Sequence, residues 1–193
     1  IQEWIYDASH NNPKVTRFSQ IDSVFQNLEI IAYSDIPKAV LNTTHSSKPQ
    51  YAKHLKTKTY YKLSRQDFQK NVVGNYRLKH FLTTDALYAT TITRNKPYYT
   101  CLDKRVLHKF LELRQTLESQ GLNTKAIKLR SGHRHPKRNY YIGGASQSRH
   151  IYGEAIDIGV GDLNNDGKTT DADKQIVLDL LDKEIIGNKG GIG

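Results

Sequence analysis

Apolar residues recur along this chain with two different periods. Leu102, Val106, Phe110, Leu113 and Leu117 are spaced by three or four residues between Leu102 and Gln120. That spacing draws one apolar stripe on a helix, and Gly121 supplies a C-terminal stop. Asp173 to Leu181 repeats the pattern with Ile176, Val177, Leu180 and Leu181, and predicts a second helix. Ala126-Ile127-Lys128-Leu129-Arg130 alternates apolar with basic and reads as a strand ended by Ser131-Gly132. Tyr152 to Val160 reads as the next strand, with Asp157 on its inner face.

Elsewhere the pattern is less legible. Tyr60, Tyr61 and Leu63 begin a strand, Ala86 to Ile92 fits helix or strand, and Asn95-Lys96-Pro97 marks a turn. Gln20 to Ile36 mixes alternating and continuous apolar runs, and polar Asn42 to Lys58 reads as an exposed loop or connector. His133 to Gly144 is a loop rich in Arg, Pro, Asn and Gly. These elements predict an α+β fold: a small, mostly antiparallel sheet with flanking helices, the Leu102–Gln120 helix packed on one side. Residues 1–66 are expected to form an N-terminal extension or small subdomain, and residues 67–193 the main domain.

Composition narrows the picture. A chain of 193 residues suits one ordinary domain with an extension. Its mean hydropathy is −0.67, and no apolar run approaches the roughly 18–20 residues of a membrane span. Ile1 stands where an initiator Met would, as in a processed or partial chain. The net charge of +10 favours an anionic partner without choosing among cell wall, polysaccharide, membrane surface and nucleic acid. Twelve tyrosines against five phenylalanines fit half-buried strand positions. The single cysteine, Cys101, forms no internal disulfide and reads as buried.

The densest chemistry lies in Ser148-Arg149-His150-Ile151-Tyr152-Gly153-Glu154-Ala155-Ile156-Asp157-Ile158. Imidazole and carboxylate are ligands that zinc takes in catalytic sites, usually three from the protein with one position open. A separation of seven with Gly153 inside argues against one helical face. A loop carrying His150 that feeds a strand carrying Asp157 is more natural. Upstream lie Ser131-Gly132-His133-Arg134-His135-Pro136, Asn139, and Gly143-Gly144-Ala145-Ser146-Gln147.

Together these residues resemble the zinc D-alanyl-D-alanine carboxypeptidase family and its hedgehog-like metallopeptidase relatives. The pattern S-G-x-R-x-P-x-x-N, then G-G-A-x-x-S-x-H-x-x-G-x-A-x-D-I, is matched at every fixed position, and weaker likeness extends over roughly residues 70–193. The resemblance implies that family's fold. It makes His150 and Asp157 the first two zinc ligands, Arg134 the group that grips the substrate or its transition state, and Ser148 a partner of the substrate's terminal carboxylate. His133 reads as packing, and His135 as a supporting partner or an exposed residue. Glu154 is close enough in sequence to suggest a general base, but its odd separation from Asp157 on a strand opposes that role. His10, His45, His54, His80 and His108 lack ligand-like spacing.

In the resembled family the third ligand is a histidine on a strand near the C-terminus, with the catalytic acid or base close by. Gly187-Asn188-Lys189-Gly190-Gly191-Ile192-Gly193 resembles the glycine-rich approach to it. The missing ligand is therefore expected beyond Gly193; the other reading is a chain that binds zinc poorly or through another histidine.

A second metal motif follows. Asp162, Asn164 and Asp166 stand at positions 1, 3 and 5 of a twelve-residue loop, with Gly167 at 6, the Lys168 carbonyl at 7, Thr170 at 9 and Asp173 at 12. That is the ligand order of a calcium loop. It resembles a single dockerin-type half-repeat, and the competing reading is an Asx-rich turn that caps the following helix.

The expected function is zinc-dependent hydrolysis of peptidoglycan peptides, of D-alanyl carboxypeptidase or endopeptidase type, with Zn2+ and Ca2+ as cofactors. The alternative is a non-catalytic cell-wall-binding or assembly subunit that keeps the fold with an incomplete zinc site. The expected partner is peptidoglycan or another anionic wall polymer, in a secreted, periplasmic or cell-envelope setting. Nucleic acid rests on charge alone.

Overall fold

The computed structural model describes residues 14–41 and 54–192. It is built around one long helix. Asp103 caps that helix by accepting from the Arg105 amide, and Lys104–Ser119 follows as a continuous α-helix. Its buried positions are Leu107, Phe110, Leu111, Leu113 and Leu117, so the stripe read from the sequence is rotated slightly toward Leu107 and Leu111, with Val106 at its margin. Gly121 ends it at φ +72°.

Helix α1 is Phe18–Gln26, strand β1 Glu29–Ile31 and helix α2 Lys38–Leu41. Strands β2 (Tyr60–Leu63), β3 (Asn71–Val73) and β4 (Tyr76–Arg77) precede α3 (Ala86–Arg94), β5 (Tyr98–Thr100) and the long helix, α4. Then come β6 (Ile127–Ser131), α5 (Pro136–Tyr141), β7 (Asp157–Val160) and α6 (Asp171–Leu180). The fold is α+β, with six α-helices and small antiparallel sheets among the described residues. Among the described residues the sheet is divided into three: β1-β2-β5, β3-β4 and β6-β7.

The ambiguous stretch Ala86–Ile92 is helical because Asp85 accepts from the Tyr88 amide at its start. Asn95 closes it in the left-handed region at φ +50°. α1 lays Ile21 and Phe25 against α4, while Val72 and Val73 of β3, Ile127 of β6 and Val177 and Leu180 of α6 close the same core.

Two expectations shift. Residues 42–53 of the polar connector lie outside the described residues, but Leu55 is buried in a satellite cluster with Ile151 and Tyr152. The strand expected over Tyr152–Val160 begins only at Asp157, because Arg149–Tyr152 forms a 3-10 turn ended by Gly153. Cys101 is buried as expected. Its thiol donates to the Ile151 carbonyl, and burial pushes its pKa up to about 12.

Leu55 thus packs beneath the turn that carries His150. Leu55→Ala should cost about 2–5 kcal/mol in urea unfolding with an unchanged m-value, as for other buried leucines.

Candidate active site

The site forms where two loops meet one strand pair. β6 and β7 pair antiparallel, with Ile127 opposite Val160, Leu129 opposite Ile158 and Ser131 opposite Asp157. A one-residue shift of register between Leu129 and Ser131 places the last residue of β6 beside the first of β7. The Ser131 hydroxyl donates to Asp157 Oδ2 at 2.5 Å. Asp157 does not face inward as expected. Its side chain is 53% exposed.

His150 reaches this carboxylate from the 3-10 turn. Its Nδ1 lies 2.9 Å from the Gly132 carbonyl oxygen, an acceptor, which leaves Nε2 facing Asp157 Oδ1 at 3.2 Å. Gly153 makes the approach possible. It sits at φ +69°, and a Cβ there would lie 2.1 Å from the Cys101 carbonyl oxygen. Its own carbonyl accepts from the Asp103 amide at the head of α4. The spacing of seven between His150 and Asp157 is therefore a turn, a tight crossing over Cys101–Leu102, and a strand start.

Arg134 stands over the pair. Its Nη1 donates to Asn139 Oδ1 at 3.1 Å and its Nη2 to the Ser131 hydroxyl at 3.4 Å, with Nη2 3.8 Å from Asp157 Oδ2. Its Nε is buried without a partner among the described residues. The Arg134 amide donates to the His150 carbonyl, so the two loops are tied at the site itself. Asn139 is buried, and its amide group donates to the Ala145 carbonyl. The fixed residues of the sequence pattern are thus a hydrogen-bonded unit: Ser131 and Asn139 aim Arg134, and the Gly132 carbonyl aims His150.

The His150 hydrogen bond, assisted by Ser131 and Arg134 and opposed by partial burial, holds the Asp157 carboxyl at about 2. Buried His133 is kept neutral by desolvation, with His135 and His150 nearby adding to the effect. His135 is not exposed. It is clamped between Asp85 Oδ2 at 2.8 Å and the Tyr99 carbonyl at 2.7 Å, at the N-terminus of α5.

Glu154 does not reach the site as a free base. It is bonded to Lys58 and Arg149, which hold its carboxyl below the ordinary range despite partial burial. Ser148 is the N-cap residue of the 3-10 turn, and its hydroxyl bonds no partner among the described residues. Ser131 and the Gly132 carbonyl are the working groups that sequence reasoning left without a role, although both lie inside the matched pattern. Their pairing with Asp157 and His150 depends on register, which no local spacing reveals.

A family model described as Peptidase M15 matches residues 78–176, just over half of the chain. The chain belongs to the Peptidase M15 family. No curated protein and no solved structure matches it with significance. M15 is a family of zinc peptidases, and the matched span contains His150, Asp157 and Arg134. The separation of His150 and Asp157 alone is compatible with two ligands of such a metal. Two zinc ligands at tetrahedral angles stand about 3.3 Å apart for bonds near 2.0–2.1 Å, close to the observed Nε2–Oδ1 separation. Among the described residues no group of three or more His, Cys, Asp or Glu side chains comes together as a metal site.

The depressed Asp157 carboxyl should be visible in metal-free protein. Its folded pKa lies below the unfolded value near 4, so its contribution to stability is present above that value and is lost as pH falls toward 2. A 13C-detected titration should find it ionised down to about pH 2. His150→Ala should move the midpoint up toward the ordinary aspartate value.

Proposed function

We propose that this M15 chain is a zinc peptidase acting on peptidoglycan peptides, of D-alanyl carboxypeptidase or endopeptidase type, outside the cytoplasm. The convergence of His150 Nε2 and Asp157 Oδ1 beneath the Arg134 guanidinium carries this reading. Both are proposed as ligands, with the third supplied from outside the described residues. Zinc held there would supply Lewis acidity toward a carbonyl oxygen and toward water.

The chain's own groups have distinct tasks. Gly132 fixes the ring orientation of His150, as the outer hydrogen bond of a ligand histidine does. Ser131 holds Asp157 Oδ2, leaving Oδ1 toward the metal position. Arg134 offers a fixed positive fork to a carboxylate or a developing oxyanion, oriented by Asn139 and Ser131. Ser148 is proposed to donate its free hydroxyl to the substrate's terminal carboxylate. The +10 charge favours an anionic wall polymer as the surrounding partner. No described helix is long and apolar enough to cross a membrane.

The calcium loop remains part of the proposal. Asp162 accepts from the Asp166 and Gly167 amides, and Asn164 Oδ1 from the Asp166 amide. Asp173 accepts from the Leu163 and Thr170 amides, and buried Leu163 anchors the turn. These bonds also satisfy a helix-capping turn, with Thr170 and Asp173 forming the capping box of α6. Calcium would draw on Asp162, Asn164, Asp166, the Lys168 carbonyl, Thr170 and Asp173 and stiffen the exit from β7.

Elemental analysis of the purified full-length protein should find about one zinc per chain, and His150→Ala should remove it. A wild-type protein without zinc would leave the non-catalytic wall-binding reading standing. Calcium at millimolar concentration should raise the melting temperature, as expected for a weak extracellular site. Asp162→Ala should abolish the rise; an equal rise in the variant would rule out the loop.

A further inference from the structure

Asp157 is one of a row. Residues two apart on a strand share a face, so Asp157, Gly159 and Gly161 point to the same side of the β6–β7 ribbon. Ile158 and Val160 point to the other side and pack on the core with Ile127 and Leu129. The face that carries the proposed zinc half-site therefore runs on as two positions without side chains.

Across the ribbon this glycine track is walled by cations. Lys128 stands opposite Gly159 in register. Arg130 lies over Gly159, where a Cβ would come within 2.6 Å of its Nε. Lys125 closes the far end, and the groove lined by these residues measures about 500 Å³. Lys125, Lys128 and Arg130 are exposed, and none forms an ion pair among the described residues. That sets them apart from Lys58, Lys62, Lys104, Arg149 and Lys174, each of which holds a carboxylate. Asp162, the carboxylate of the lining, is turned onto the Asp166 and Gly167 amides.

We infer that this trough is a substrate subsite for a carboxylate-bearing stretch of the peptide. This rests on the reading of His150 and Asp157 as the reaction centre. Strand geometry sets the distance: Gly161 lies four residues beyond Asp157, roughly 13 Å along the ribbon. The peptide's acidic groups are accordingly about two to four residues from the bond cleaved, over Gly159 and Gly161. Glycine at 159 lets the Arg130 guanidinium lie flat against the strand as part of the trough floor, and Lys125, Lys128 and Arg130 together select the charge of the peptide.

The test uses the full chain and two fluorescent peptides, identical except that one carries three consecutive glutamates and the other three glutamines. At low salt the glutamate peptide should bind about tenfold more tightly, the scale of a few exposed ion pairs, and salt should erase the difference. Lys125→Gln/Lys128→Gln/Arg130→Gln should abolish the preference. Arg65→Gln/Arg94→Gln/Lys96→Gln, which removes the same charge from exposed positions elsewhere, should retain it. Circular dichroism checks that both triple variants fold. Equal binding of the two peptides, or equal losses in the two triple variants, would overturn the trough. His150→Ala should leave the preference intact while removing zinc, so failure of the zinc reading and failure of the trough are separately visible. A benzophenone four residues from the glutamates should label the protein near Arg134 or His150; labelling elsewhere would refute its alignment with the reaction centre.

Discussion

The antiparallel pairing of Ile127–Ser131 with Asp157–Val160 holds the candidate site in being. It sets Ser131 beside Asp157, and through Ser131 it sets Arg134. A slip of one residue would turn Asp157 toward the core and Ile158 toward solvent. The apolar residues of the ribbon oppose that slip. Ile127 is fully buried, and Leu129, Ile158 and Val160 pack against the same cluster as the long helix. Burial of the inner face thus enforces the polar geometry of the outer one.

The second support comes from the other direction. The turn with His150 is pinned from below by Leu55 and from behind by Gly153 crossing Cys101–Leu102. The loop with Arg134 is pinned by backbone bonds between His133 and the Phe81–Thr83 stretch, and by His135 between Asp85 and Tyr99. The His133, Arg134 and His135 cluster is therefore divided in role. The two histidines are buried parts of the frame, and the arginine between them reaches Ser131, Asn139 and Asp157.

Much of this was legible in the residues. The long helix, the strand before Ser131 and the second helix follow from period alone, because each has one face to bury. The matched pattern around His150 carried the family, since its glycines and polar residues sit where a tight turn and a buried hydrogen-bond network need them. Less legible were the elements whose state depends on a partner. Ala86–Ile92 suited helix or strand until its cap settled it, and Leu55 looked like part of an exposed connector because the residues it packs under lie about a hundred positions away.

The sequence by itself determined the α+β composition, the central helix and the basic character of the chain, and it singled out His150 and Asp157 as the candidate pair. Tertiary structure alone decided that Glu154 is locked to Lys58 and Arg149, that Ser131 and the Gly132 carbonyl orient the pair, and that Lys128 and Arg130 wall a glycine track on the face of Asp157. The reason is physical. Periodicity records which face of an element is buried, but a hydrogen bond or an ion pair between distant residues is set by register and packing, and these arise only when the elements meet.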